Sequence, residues 1–124
     1  MLLARAAVEA GCVLALPHVV SRAKPIRFLA WETEAELVAG PFGLQQPGAH
    51  AIELQPDIIL TPLLGYDDAR NRLGQGAGHY DRAFTAFPDA WRIGVAYSVQ
   101  HLAALPVDAW DVPLHAIVTE RDTL

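Results

Sequence analysis

From position 72 to 82 the chain reads RLGQGAGHYDR. Gly74, Gly76 and Gly78 stand two residues apart. Glycines so placed let the backbone take positive φ and approach a ligand closely. Successive N–H groups in such a turn can face one concavity and hold an anion. Arg72 precedes the glycines and can place a fork of donors on a phosphate. A helix opening near His79 would turn its positive end toward the same spot. The spacing is not a Walker A loop, because no Gly-Lys pair followed by Ser or Thr occurs. Nor is it a dinucleotide fingerprint or a kinase glycine loop, since the third glycine comes one residue early. On spacing alone a plain tight turn competes with phosphate binding.

Other reactive groups give weaker patterns. The histidines at 18, 50, 79, 101 and 115 have no regular metal spacing, and Ser21 and Ser98 lie in no GxSxG context. Cys12 is the one cysteine, which excludes an intramolecular disulfide and a cysteine-rich zinc site; its apolar neighbours predict a buried thiol. Nine basic residues against fourteen acidic ones, net charge −5, give no footprint for nucleic acid. The apolar start is broken by Arg5 and Glu9 and is too short to span a bilayer, and it lacks the basic opening of a signal peptide. A soluble, cytoplasmic protein without membrane or nucleic-acid partners is expected.

The elements that would position the loop follow from periodicity. Leu2, Leu3, Ala6, Ala7 and Ala10 share a helical face, and Gly11 is placed to end that helix. Residues 12–17 read as a buried strand stopped by Pro17, and 26–31 as a strand in which Ile26 and Phe28 flank Arg27. A helical turn fits 33–37, and the Gly- and Pro-rich 40–50 reads as a loop. The run 58–64 suggests a central strand, with Pro62 ending it or marking an edge. A short helix fits 80–87, a buried strand 92–97, a helix capped by Ser98 over 99–105, and a closing strand 116–119. Strands alternating with helices predict one α/β domain over residues 1–124, a sandwich around a mostly parallel sheet.

The longer run LTPLLGYDDARNRLGQGAGHYDR resembles the signature of the 5-formyltetrahydrofolate cyclo-ligase family, where an apolar strand leads through a PLLGFD turn to an RLGxGxGYYDR loop. GPFGLQQP is similar to that family's FGIPEP segment, and WDVPLHAIVTE to its HDVPLDAIVTE tail. The resemblance covers most of the chain, in order. It implies a three-layer-like sandwich of the NagB/RpiA/CoA-transferase-like kind. It also implies a ligase of one-carbon folate metabolism that uses ATP and Mg²⁺ to convert 5-formyltetrahydrofolate to 5,10-methenyltetrahydrofolate, ADP and phosphate.

By matching position, Arg72, Leu73, Gly74, Gln75, Gly76, Ala77, Gly78, His79 and Tyr80 would line ATP. Phe42, Tyr66 and the stretch Gln75, Gly76, Ala77, Gly78 and His79 would face the reduced folate, and Asp81 and Asp111 would hold Mg²⁺. No side chain is singled out as the catalytic group, since phosphoryl transfer rests on positioning and charge neutralisation. Plainer roles compete. Asp81 suits a helix first turn without any metal, Asp111 can simply turn the chain before Val112-Pro113, Tyr80 can be core, and Asp67 with Asp68 can be a solvated turn.

The chain also departs from the family pattern. Members are longer, and the basic N-terminal helix that reaches the ATP phosphates has no counterpart, so an N-terminally truncated form is expected. His79 stands where an aromatic is usual, and His115 where an acid is usual. Three readings remain: the enzyme, a monomer when full length; a nucleotide- or folate-binding fragment without turnover; and a structural or regulatory remnant. They part on whether ATP and folate bind, and on whether they react.

Overall fold

A computed structural model describes residues 2–21, 23–32, 36–41, 45–74, 78–107 and 111–124. Its chain divides into two units, Met1–Pro56 and Asp57–Leu124.

The first unit opens with α1 (Leu2–Glu9), built of good helix formers. It ends in a Schellman motif: the Gly11 N–H donates to the Val8 carbonyl (3.0 Å) and the Cys12 N–H to the Ala7 carbonyl (2.9 Å). Gly11 takes φ 91, which the motif requires and a side chain would oppose. On the expected apolar face Ala7 is half-buried while Ala6 and Ala10 are exposed, and Ala4, off that face, is buried. Cys12 is exposed, not a core thiol, because the position just past the helix end faces outward.

β1 (Ala15–His18) and β2 (Arg27–Ala30) pair antiparallel, with Leu16 opposite Leu29. The link 19–26 is too short for the crossover of a dozen or more residues that a parallel pair needs. On its other side β2 meets residues 52–54: the Ala30 N–H donates to the Ile52 carbonyl (2.7 Å) and the Leu54 N–H to the Phe28 carbonyl (2.8 Å). So Phe28 and Leu29, on opposite faces, are both buried.

β3 (Val38–Ala39) and β4 (Gln45–Gln46) form a second short ladder, β3 just before and β4 within the 40–50 segment that composition marks as a loop. Gln46 orders it. Its buried amide accepts from the Val19 N–H (2.9 Å) and donates to the Val19 carbonyl (3.1 Å), as a neighbouring strand would. A Cβ on Gly40 would lie 2.5 Å from the Gln46 amide carbon, so the clamp needs glycine there. The helical turn expected over 33–37 falls mainly outside the described residues.

The second unit carries a parallel sheet of order β5-β8-β9, formed by Ile58–Thr61, Trp91–Val95 and Ala116–Val118. The α/β fold and parallel sheet are as the alternating pattern predicts. The strand in the 58–64 run stops at Thr61, before Pro62 as expected, but it lies at the edge of this sheet, with β8 in the centre. β6 (Gly65–Tyr66) and β7 (Arg72–Leu73) pair antiparallel, and α2 (His79–Ala86) follows.

One face of the sheet holds Ile59, Thr61, Gly94 and Ile117, all buried. Phe84 of α2 packs on that face, its ring 5.7 Å from the Arg92 guanidinium carbon. A Cβ on Gly94 would lie 2.7 Å from Leu114 Cδ1 and 3.0 Å from Leu63 Cδ2, so a larger residue would push into this core. Past β8, the expected helix over 99–105 is only a 3₁₀ turn, Ser98–Gln100. Ser98 does not cap it: its N–H and hydroxyl donate to Glu120 (2.6 and 3.0 Å), while the Gln100 side chain accepts the Tyr97 N–H (2.8 Å).

Candidate functional site

The approach to the glycine-rich loop is held by Asp67. Its carboxylate accepts the N–H groups of Ala69 (3.1 Å), Asn71 (2.9 Å) and Leu105 (3.3 Å) and the Asn71 side-chain amide (3.0 Å). Asp67 is 5% exposed, so the reading of this residue as a solvated turn is wrong. Burial raises its pKa, but the four hydrogen bonds outweigh that and leave it below the ordinary carboxylate value. The turn passes through Arg70 at φ 63, a left-handed conformation that costs a non-glycine residue about 1–2 kcal/mol. Asp68 points outward and pairs with His101 (2.8 Å).

The turn delivers Arg72 on β7. Its Nη1 donates to the Pro62 carbonyl (2.6 Å), and its guanidinium carbon lies 5.3 Å from the centre of the Tyr80 ring. A Cβ on Gly74 would be 2.9 Å from Arg72 Nη2, so the glycine lets the guanidinium lie close against the loop backbone. Burial lowers the pKa of Arg72, opposed by the charges of Asp81, Tyr80 and Asp111. Burial likewise raises the Tyr80 phenol, opposed by Arg72. Leu73, in contrast, is exposed, and its carbonyl accepts the Leu64 N–H (2.7 Å).

Gly78 then takes φ 71 and starts α2 with no side-chain cap. The amides of a first turn point out of the helix end, where an anion is favoured. His79 and Tyr80 begin that turn, half-buried, and Asp81 completes it. Asp81 Oδ1 accepts the Val112 N–H (3.4 Å) and so draws the 111–113 segment against the start of α2. Arg72, Tyr80, Asp81 and Asp111 are therefore brought together from positions up to 39 residues apart (111 − 72). Among the described residues no group of three or more His, Cys, Asp or Glu forms a metal cage. A pair of carboxylates is a common part of Mg²⁺ sites, where one or two carboxylates act together with substrate phosphates and water.

The remaining expected residues fall elsewhere. Tyr66 is buried, its ring edge-on to His101 at 5.4 Å. Phe42, Gln75, Gly76 and Ala77 lie outside the described residues. His115 supports the sheet: its ring Nδ1 accepts the Arg92 backbone N–H (2.9 Å), while the His115 backbone N–H donates to the Arg92 carbonyl (2.8 Å). Sequence reasoning missed Asp67 and Gln100, whose amide donates to the Leu63 carbonyl (3.1 Å). The signal for Asp67 was its spacing from Ala69 and Asn71, which suits a carboxylate that bonds backbone a few residues on.

Sheet and loop together define the class: an α/β protein in which a glycine-rich loop opens a helix beside a half-buried arginine and two carboxylates. The model of the 5-formyltetrahydrofolate cyclo-ligase family matches residues 2–120, and the chain belongs to that family. It is 34% identical over 98 residues to the 5-formyltetrahydrofolate cyclo-ligase of Escherichia coli (strain K12), covering 74% of this chain and 54% of that protein. It is 35% identical over 97 residues to the Haemophilus influenzae protein of the same name, covering 73% and 52%. The fold is similar to the NMR structure of Aquifex aeolicus 5,10-methenyltetrahydrofolate synthetase, with TM-score 0.79, 33% identity, and coverage of 98% of this chain and 61% of that one. It is also similar to the Mycoplasma pneumoniae 5,10-methenyltetrahydrofolate synthetase, with TM-score 0.73, 26% identity, and coverage of 97% and 63%. The chain spans about half the length of the curated relatives it matches. No helix among the described residues is long and apolar enough to cross a membrane.

Proposed function

We propose that this chain serves the ATP- and Mg²⁺-dependent conversion of 5-formyltetrahydrofolate to 5,10-methenyltetrahydrofolate, with release of ADP and phosphate, in the cytoplasm. The observation that carries this reading is the convergence of Arg72, Asp81 and Asp111 beside the uncapped start of α2. In the reaction the formyl oxygen bonds to the γ-phosphorus as ADP leaves. N10 then closes on the activated carbon, and phosphate departs. A protein contributes to such chemistry by alignment and by charge placed where the phosphoryl group develops it.

Arg72 is suited to the phosphates, with one donor anchored on Pro62 and the planar group steadied against Tyr80. The segment from Leu73 to Tyr80, through Gly74, Gln75, Gly76, Ala77, Gly78 and His79, would wrap the nucleotide with backbone N–H groups. Phe42 and Tyr66 would offer aromatic faces to the pterin. Asp81 and Asp111 would hold Mg²⁺, which when bound neutralises phosphate charge.

A second reading, a nucleotide- or folate-binding fragment without turnover, is favoured by one observation: the chain covers 54% of its Escherichia coli relative. Incubation with 5-formyltetrahydrofolate, ATP and Mg²⁺, following methenyl absorbance, separates the two, with calorimetry of ATP binding alongside. Turnover supports the enzyme. ATP binding without turnover selects the fragment. Absence of binding by either ligand overturns both.

A further inference from the structure

Between β5 and β6 the chain passes through Pro62, Leu63 and Leu64, and this short segment is gripped from two sides. The Pro62 carbonyl accepts Arg72 Nη1 at 2.6 Å. The peptide group after it is held at both ends: the Leu63 carbonyl accepts Gln100 Nε2 (3.1 Å), and the Leu64 N–H donates to the Leu73 carbonyl (2.7 Å). Gln100 Nε2 also reaches the Leu64 carbonyl, at 3.4 Å. The Leu63 side chain is buried over Gly94, which limits how far the backbone can turn there.

The surroundings of Gln100 suit it to this task. It closes the half-buried end of the 3₁₀ turn after β8. Its Oε1 accepts the Tyr97 N–H (2.8 Å), so Nε2 is the end that faces the carbonyls. Glu120 anchors the same turn through the N–H and hydroxyl of Ser98 (2.6 and 3.0 Å). Two residues on, the Leu102 N–H donates to the Tyr66 carbonyl (2.7 Å), which sets this backbone alongside the 63–66 segment.

We propose that Gln100 is a positioning residue for Arg72. Peptide groups are planar, so only the two rotations within Leu63 separate the group that Gln100 holds from the carbonyl that anchors the guanidinium. The ring of Pro62 fixes the backbone on the other side. Gln100 thus aims the Pro62 carbonyl, and the carbonyl aims the plane in which Arg72 meets phosphate. An arginine already held in plane gives up less freedom when the phosphate arrives. The inference rests on the reading of Arg72 as a phosphate ligand, and in it Gln100 touches neither nucleotide nor folate.

The test uses two variants of the full chain, each checked for folding by circular dichroism. Gln100→Glu keeps an acceptor for the Tyr97 N–H but cannot donate to Leu63, and Gln100→Leu removes both bonds. In nitrogen-15 spectra the Arg72 guanidinium is identified by its absence from Arg72→Lys. Its two Nη groups should be resolved in the native chain and averaged by rotation in both variants. Calorimetry should show MgATP binding weakened roughly 3–30-fold in both. In an Arg72→Lys background Gln100→Leu should add less than about twofold, since the two residues act as one unit. Averaged signals in the native chain, or unchanged signals in a folded Gln100→Glu, overturn the inference whether or not ATP binds. Losses that simply add in the double variant overturn it too. A native chain that binds no MgATP overturns the functional reading, while the Arg72 signals still decide whether Gln100 orients the arginine.

Discussion

Arg72→Lys distinguishes a phosphate ligand from a structural strut. The native guanidinium donates to the Pro62 carbonyl at 2.6 Å, lies 5.3 Å from the Tyr80 ring and passes close over Gly74. Anchored in this way, its remaining donors keep a fixed plane in which to meet a phosphate. Lysine preserves the charge but has one nitrogen, which cannot hold Pro62 and a phosphate in that fork. Losing one charge-assisted hydrogen bond costs about 1.5–3 kcal/mol, or roughly 10–150-fold in ATP affinity. Stability should change less. The cation–π contact is worth about 0.5–1 kcal/mol at a partly open site, a shift of a few degrees in Tm. Calorimetry of MgATP binding, with thermal unfolding of the same samples, reads both quantities. Wild-type ATP affinity in a folded Arg72→Lys protein would refute the assignment and leave Arg72 as a strut between the 62–66 segment and α2.

Arg70→Gly should stabilise the protein by about 0.5–1 kcal/mol, since relief of left-handed strain exceeds the added freedom of glycine in the unfolded chain; a lower Tm would show that the Arg70 side chain repays its backbone. Asp67→Ala should cost about 2–4 kcal/mol in urea unfolding, because the N–H groups of Ala69, Asn71 and Leu105 lose their acceptor; a loss under 1 kcal/mol would contradict its role as the keystone of the turn. His115 adds a pH dependence. Burial, then Arg92 and Arg70, depress its pKa below the ordinary 6.5, in keeping with a neutral ring whose Nδ1 accepts the Arg92 N–H. Folding then binds fewer protons than unfolding, so this contribution is complete above pH 6.5 and is lost as pH falls through the depressed value. Melts at pH 7.5 and 5.5 should show that loss in the native chain and a smaller one in His115→Asn, whose amide oxygen does not titrate; equal losses would rule His115 out as the cause.

The sequence was legible where local pattern and packing agree. Strands β5, β8 and β9 are short apolar runs, and α2 begins after a glycine and ends just before Pro88, so each carries its own punctuation. The N-terminal unit was read less well. The antiparallel pairing of β1 and β2 follows from the length of their link, and β4 exists because Gln46 reaches back to Val19, a contact across 27 residues that no window of sequence contains. Ser98 looked like a cap and is instead held by Glu120, 22 residues on. The candidate site divides in the same way. Its glycines, Arg72 and the carboxylates stand out by type and spacing. The partners that fix them, Pro62 for Arg72 and Val112 for Asp81, are backbone groups and carry no signal in residue identity.

That distinction bears on the two histidines that depart from the family pattern. At 115 an acid would be an acceptor beside Arg92, and the imidazole meets the same need: its Nδ1 takes the Arg92 N–H that the sheet ladder leaves unpaired. What this position must supply is a lone pair at that distance, and negative charge is dispensable. The replacement therefore alters how the sheet edge responds to pH without removing a group from the Arg72–Asp81–Asp111 cluster. His79 differs in kind. As the first residue of α2, next to Gly78, it stands where an anion at the helix start would sit. A ring N–H there could donate to a phosphate oxygen, so His79→Phe should weaken ATP binding roughly 2–10-fold in calorimetry at constant pH. Equal affinity in the two proteins would place His79 outside the nucleotide's reach and confine the phosphate-binding role to Arg72 and the backbone.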